Sequence, residues 1–219
     1  MSESREPALY EKDTYARRLS GPLYRFFERI WFSVKLHFCI LAGLLVGLVL
    51  FGYGPSMLAA HHVIRLSLEG REPPMGEAFI RVYREKFSSA NRDSLPLLLL
   101  LPVFFGIWYG LWYVRIPIVA SLAYLLFFLL LIAHLLCFIY WPVFRAYDPQ
   151  RTSWNLYLLC IVFGLRYIFT SLIALGVVSL IVLGSQLLPH FAVLISLGLI
   201  PWTIHYLTWR KNTPFTKSN

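Results

Sequence analysis

The feature that most constrains the fold is a series of apolar runs, most of them long enough for a membrane-spanning helix. The first run, FCILAGLLVGLVLF, covers residues 38–51. A spanning helix needs roughly 17–25 mostly apolar residues, because its backbone polar groups must be satisfied inside the helix. Five further runs follow the first, at residues 55–68, 94–114, 117–140, 167–188 and 191–209. The sequence therefore predicts an all-α, polytopic membrane helix bundle of about six spans, the second of them short and polar.

Composition agrees with a membrane protein. Hydrophobic residues make up 58% of the chain, charged residues only 14%, and the mean hydropathy is +0.63. A soluble domain carries about 25% charged residues. We predict one integral membrane domain over residues 1–219. Its parts are a cytoplasmic N-terminal tail with an interfacial amphipathic helix (1–36), the helix bundle (37–209) and a cytoplasmic C-terminal tail (210–219).

Lys and Arg residues predict the orientation of the spans. Basic residues lie on both sides of the first two runs, and loops this basic prefer the cytoplasmic side of a membrane. A single crossing at residues 38–51 would leave one basic flank outside, whereas a second crossing at residues 55–68 returns the chain to the cytoplasm. With six spans and both termini in the cytoplasm, every Lys and Arg except Arg115 lies on or near the cytoplasmic face.

The chain between the first two runs predicts a turn. Gly52, Gly54 and Pro55 follow the first run directly. Proline is tolerated in the first turn of a helix, where its missing N–H would have no partner. We therefore expect the first helix to end at these glycines and the second to begin at Pro55.

The second run carries an unusual set of polar side chains. His61, Arg65 and Glu69 are four residues apart and share one helix face, and His62 lies about 100° away from His61. Such a face is costly in lipid and belongs inside a bundle. We predict a buried polar intramembrane face that fixes helix packing and binds no metal.

Two pairs of small residues predict close helix contacts. Gly43 and Gly47 lie in the first run, and Gly106 and Gly110 lie in the third. Spacing of this kind lets two helix backbones approach each other closely. The favoured interpretation is that these spans pack together inside one bundle, because polytopic proteins use the motif internally. A homodimer face is the alternative.

The basic segment GEAFIRVYREKFSSANRDSLP, residues 76–96, predicts a cytoplasmic amphipathic helix. Its apolar stripe would consist of Phe79, Val82, Tyr83, Phe87 and Ala90, with Arg81, Arg84 and Lys86 outside it. One interpretation is an interfacial helix attracted to anionic lipid. The other is a surface that docks on a partner protein.

A second candidate contact follows the fourth run, in YDPQRTSW. Asp148 can cap a helix that has Pro149 in its first position, or it can pair with Arg145 or Arg166. Together the two segments supply the partner-docking candidates, which are Glu77, Phe79, Arg81, Tyr83, Arg84, Phe87, Arg145, Tyr147 and Asp148.

Several classes of activity find little support in the sequence. The histidines in or beside the spans could ligate haem or a metal, yet no pair has the spacing HExxH. All acidic residues lie in predicted tails or cytoplasmic segments, which disfavours a transporter driven by protons or ions on its own. Neither GxSxG nor GxxxxGK[ST] occurs. We therefore expect no enzymatic activity, no cofactor, no bound metal and no disulfide.

Four short motifs carry a family resemblance. They are GPLYRFF before the first span, GPSMLAA at the second, EG followed by AFIRVYREKF, and WPVFRAYD after the fourth. In this order and spacing the chain resembles the YesL-like family of bacterial membrane proteins, a domain of unknown function (DUF624). The resemblance implies a multi-pass plasma-membrane protein associated with carbohydrate uptake by ABC transporters.

The function that we expect is therefore a non-enzymatic accessory or regulatory membrane protein linked to carbohydrate ABC import. The alternatives are a permease-like transporter component that works as an oligomer and a haem-binding redox protein. Residues 76–96 also resemble the EAA loop of ABC-importer permeases, with Tyr83 in place of its glycine. The expected partners are membrane lipid, ABC-transporter subunits at the cytoplasmic face and a second copy of the chain, but no nucleic acid.

Overall fold

The computed structural model describes residues 22–71, 74–187 and 197–209. The regular elements in these ranges are α-helices, which confirms the prediction of an all-α fold. Eight helices are described: α1 (Pro22–Val46), α2 (Leu50–Leu68), α3 (Met75–Glu85), α4 (Phe87–Leu111), α5 (Pro117–Tyr147), α6 (Ser153–Arg166), α7 (Ile168–Leu187) and α8 (Leu197–Trp209). Residues 1–21 of the predicted N-terminal tail, the predicted C-terminal tail at 210–219, and residues 188–196, where the fifth run ends and the last begins, lie outside the described residues.

Three of the described helices are long and apolar enough to cross a membrane. They are α1 from Phe27 onward, α4 and α5. Helices α6 and α7 meet at a bend of 97° and together count as a fourth candidate. The six predicted runs correspond to α1, α2, α4, α5, α7 and α8, and the number of crossings stays a prediction. The chain is thus an α-helical membrane protein.

Helix α2 lies at the centre of the bundle, where it contacts α1, α3, α4, α5 and α8. Its buried positions include small side chains such as Ala59 and Ala60, which let several helices approach it at once. The polar-striped second run therefore packs against protein on most sides, which suits a helix that lipid would solvate poorly.

The first helix ends earlier than predicted. The chain turns at residues 47–49, where Leu48 and Val49 have positive φ angles of 51° and 63°. Gly52, Gly54 and Pro55 instead lie inside α2. The prediction that they end the first helix is therefore wrong. The two glycines serve a different purpose.

That purpose is close packing between neighbouring backbones. A Cβ atom on Gly52 would lie 2.5 Å from the carbonyl oxygen of Gly43 and 2.8 Å from the Cα of Leu44. A Cβ on Gly47 would lie 2.2 Å from the Cα of Gly52. Gly43 and Gly47 thus pack α1 against α2. The favoured interpretation was that the first span packs against the third. In the structure the glycines of the first span pack against the second span instead.

The other glycine pair has no such contact. A Cβ on Gly106 or on Gly110 would meet no atom within 4 Å among the described residues. These two glycines therefore leave an open strip along α4.

The predicted single helix over residues 76–96 is divided in two. Helix α3 ends at Glu85, and α4 begins at Phe87 after a turn at Lys86. The apolar face of α3 contacts α2 inside the bundle, and Phe79 and Tyr83 are only 4% and 8% exposed. These two side chains are therefore buried in the bundle, and they can contact neither lipid nor a partner protein as expected.

Candidate functional site

Two buried histidines join three helices. The Nδ1 atoms of His61 on α2 and His205 on α8 lie 3.1 Å apart, so one of them donates to the other. The Nε2 atom of His205 lies 3.0 Å from the hydroxyl of Tyr147 at the end of α5. His205 therefore bridges α2 and α5. Both imidazoles have their partners within the protein, which suits a structural function for the predicted polar face.

Arg65 continues this network toward the end of α5. Its guanidinium donates a short hydrogen bond to the carbonyl oxygen of Ala146 and lies 5.6 Å from the centre of the Tyr147 ring. Its Nε atom is 3.5 Å from a carboxylate oxygen of Glu69, which also approaches Arg71. A cation at the C-terminal end of a helix is favourable because the last carbonyls carry partial negative charge.

A second buried pair, which we did not predict from the sequence, joins α4 to α5. The Nε of Arg145 donates to Asp93 over 2.6 Å, and the two side chains are 2% and 0% exposed. Ser153 donates to the other carboxylate oxygen, and the hydroxyl of Tyr157 donates to the Asp93 carbonyl. Asp93 thus holds the starts of α4 and α6 to the end of α5.

These two residues correct one expectation. Asp93 is buried inside the packed bundle, and its position in a cytoplasmic segment stays a prediction. Arg145 is taken up by this pair and is buried, so it offers no surface to a partner. A sequence signal existed: one acid and one base lie at the ends of neighbouring runs that were predicted to point to the same side.

Asp148 has a different partner from those considered. It follows the last residue of α5 and accepts a hydrogen bond from Arg151 over 2.9 Å, whereas α6 begins at Ser153 with Thr152 at its N-cap. The predicted helix cap with Pro149 is therefore wrong. The bond from Arg151 lowers the pKa of Asp148 below its usual value. Asp148 fixes the short loop between α5 and α6.

The structure separates the docking candidates into two groups. Those on the surface are Glu77, Arg81, Arg84 and Phe87. Those buried or half-buried are Phe79, Tyr83, Arg145, Tyr147 and Asp148. Tyr83 donates a hydrogen bond to the Gly43 carbonyl over 2.8 Å, and burial raises its pKa.

A cavity of about 410 Å³ opens between α2, α3, the start of α4 and the end of α5. Cations dominate its lining. The charged or polar side chains that line it are His62, Arg65, Arg81, Glu85, Lys86, Ser89 and Arg145. This cavity brings part of the polar face of α2 together with the basic segment and the end of α5, which are far apart in sequence.

The remaining histidines are dispersed. The backbone N–H of Leu197 donates to His37, and His134 is buried with its ring 5.0 Å from that of Phe104. Among the described residues, no three His, Cys, Asp or Glu side chains come close enough to hold a metal ion.

Fold and site together define a polytopic α-helical membrane protein with a cation-lined cavity at one end. Residues 30–109 match the model of the family described as "Protein of unknown function, DUF624". This part of the chain is similar to the DUF624 family, which is consistent with the YesL-like resemblance. It covers α2, α3 and the start of α4, and therefore three of the four walls of the cavity. No curated protein and no solved structure matches the chain.

Proposed function

We propose that the chain is a non-enzymatic accessory or regulatory membrane protein, linked to carbohydrate import by ABC transporters, that contacts its partner through the outer face of α3. The observation that carries the proposal is that the two faces of α3 have different surroundings. Its apolar face is used by the core, while Glu77, Arg81 and Arg84 are exposed. Among the described residues these three side chains form no ion pair, so they are available to another molecule.

Apolar side chains at this face add the means for specific contact. Ile80 is 52% exposed and Phe87 is 37% exposed, and both lie among the charges of α3 and the start of α4. Protein interfaces typically combine a few apolar anchors with a polar rim. The link to carbohydrate import rests on the YesL-like and EAA-loop resemblances. We place this face in the cytoplasm of a bacterial cell, under the plasma membrane, because basic loops prefer that side.

Reversing the charges of this face tests the proposal. The double variant R81E/R84E is expected to lose at least about tenfold of any protein that co-purifies with the wild type, because close charge pairs across an interface contribute roughly 1.5–7 kcal/mol. Purification from native membranes in mild detergent, followed by quantitative mass spectrometry, measures the loss. Detergent removes the contribution of anionic lipid.

Arg115→Glu provides the matched control. Arg115 lies in the loop between α4 and α5, and α4 with its 25 residues separates this loop from the α3 face. The control reverses one arginine charge where the double variant reverses two, at a place far from the α3 face, and it should keep the partner. Equal recovery of the same proteins with R81E/R84E and with wild type would contradict docking through α3.

A permease-like component that works as an oligomer is a second candidate, and the open strip at Gly106 and Gly110 favours it. Small residues that no described helix of the same chain covers can pack against a second copy. Gly110→Leu should then shift the detergent-solubilised protein from oligomer to monomer, because the side chain would separate the two helix backbones. Size-exclusion chromatography with light scattering measures the mass.

Leu at Gly110 meets no described atom of its own chain, so the variant should fold normally. Gly176→Leu on α7, where a Cβ likewise meets nothing within 4 Å, is the control. A monomeric wild type, or an oligomer that survives Gly110→Leu, would argue against this candidate.

A further inference from the structure

The cavity between α2, α3, α4 and α5 has two kinds of cation. Arg65 and Arg145 hold fixed positions, since each bonds a backbone carbonyl near the end of α5 and faces a carboxylate, of Glu69 and Asp93 respectively. Arg81 and Lys86 form no ion pair within the described part of the chain. Glu85 is the one acidic side chain among the described residues of the lining.

Further polar side chains line the same space. His62 lines it from α2, and Ser89 lines it from the first turn of α4, where its hydroxyl is held by the Lys86 carbonyl over 3.1 Å. This first turn contains no acidic residue. A helix N-terminus carries partial positive charge from its free N–H groups, so the start of α4 adds to the attraction for an anion.

We propose that this cavity binds a phosphate-bearing anion. Guanidinium groups match the oxygens of phosphate in geometry, and lysine adds a point charge. The volume of about 410 Å³ accommodates a small phosphorylated molecule or a lipid headgroup. The inference rests on the proposed function, since it supplies the regulatory ligand of an accessory protein next to its docking face.

Equilibrium dialysis of the purified full chain in detergent against labelled inorganic phosphate, at constant ionic strength, tests the binding. Arg81→Gln and Lys86→Gln should each weaken phosphate binding about tenfold, because each removes a charge-assisted hydrogen bond to the anion. Both side chains are outside the core ion pairs, so both variants should elute as folded protein in size-exclusion chromatography.

Arg84→Gln is the matched control. It removes the same charge from the same helix, but Arg84 does not line the cavity. Phosphate binding should therefore stay at the wild-type level. An equal loss in Arg84→Gln and Arg81→Gln would overturn the inference, because it would show a general response to charge.

A second arm distinguishes the two sources of phosphate. The thermal unfolding midpoint is compared in nanodiscs of phosphatidylglycerol and of phosphatidylcholine. A higher midpoint in phosphatidylglycerol that Arg81→Gln removes and Arg84→Gln keeps would identify a lipid headgroup, even if inorganic phosphate alone binds too weakly to detect. Absence of both responses overturns the inference. Neither of these measurements involves a partner protein. If phosphate binding is intact but no partner co-purifies, the result counts against the proposed function and not against this inference.

Discussion

Asp93→Asn is expected to remove most of the folded protein. The substitution keeps the size of the side chain but leaves the guanidinium of Arg145 buried without its carboxylate. Breaking a buried pair by removing one partner costs about 3–5 kcal/mol, a large part of the 5–15 kcal/mol that a typical domain has in total. Fluorescence-detected size-exclusion chromatography should show a loss of the monodisperse peak, with a lower thermal unfolding midpoint in what remains.

Asp148→Asn is the matched control for this result. Asp148 pairs with Arg151, but the two side chains are 45% and 34% exposed. Exposed pairs contribute at most about 1 kcal/mol. Because the pKa of Asp148 is lowered, its contribution is present at neutral pH and disappears only in acid. If Asp93→Asn and Asp148→Asn lost similar amounts of folded protein, burial of the Asp93 pair would not be what makes Asp93 important.

The geometry around Asp93 explains why such a loss would be general. Its side chain and carbonyl bind residues of α5 and α6, while α4 continues from it toward the other end of the bundle. No other described carboxylate joins three helices in this way. Without the carboxylate, the ends of α4, α5 and α6 lose their common anchor, and Arg145 must be solvated by water that enters the bundle.

The spans could be predicted from the sequence because apolar length is a local property. Runs at residues 117–140 and 167–188 begin within one residue of α5 and α7. The fate of the stripe on α3 could not be predicted, because an amphipathic pattern shows that a helix has an apolar face but not what covers it. Phe79 would look the same in sequence whether lipid, a partner or α2 lay against it.

The candidate site was predicted only in pieces for a similar reason. The polar face of α2 follows from helical spacing, so Arg65 and Glu69 could be placed near each other. His205 lies 144 residues after His61. Their contact depends on how α8 packs against α2, and spacing along one helix contains no information about it. Arg145 and Asp93, 52 residues apart, pose the same difficulty.

For the glycines of the first two helices, close packing was predicted correctly but the helix that they contact was not. The pattern Gly43–Gly47 indicated close packing, and Gly52 was attributed to a turn because it follows the first run closely and lies near Gly54 and Pro55. In the structure all three lie at one crossing of α1 and α2, where the backbones nearly touch. Glycine fits both uses, so the sequence alone did not distinguish a helix end from a helix contact.

Gly52→Ala is therefore expected to destabilise the bundle, although alanine normally favours a helix over glycine by about 1 kcal/mol. The new Cβ would lie 2.5 Å from a carbonyl oxygen and 2.8 Å from a Cα atom of α1, and backbone atoms cannot rotate away as a side chain can. Overpacking of this kind costs about 1–3 kcal/mol. The measurement is the thermal unfolding midpoint of the purified protein in detergent, which should fall.

Gly176→Ala on α7 makes the same chemical change where a Cβ meets no described atom within 4 Å. Helix propensity then acts alone, and the midpoint should stay or rise. The two variants thus change the unfolding midpoint in opposite directions. Each adds one methyl group to a helix, but only at Gly52 does a neighbouring backbone lie in the way. If Gly52→Ala were as stable as Gly176→Ala, the backbones of α1 and α2 would have to be farther apart than the structure places them, and the turn at residues 47–49 could not hold its present form.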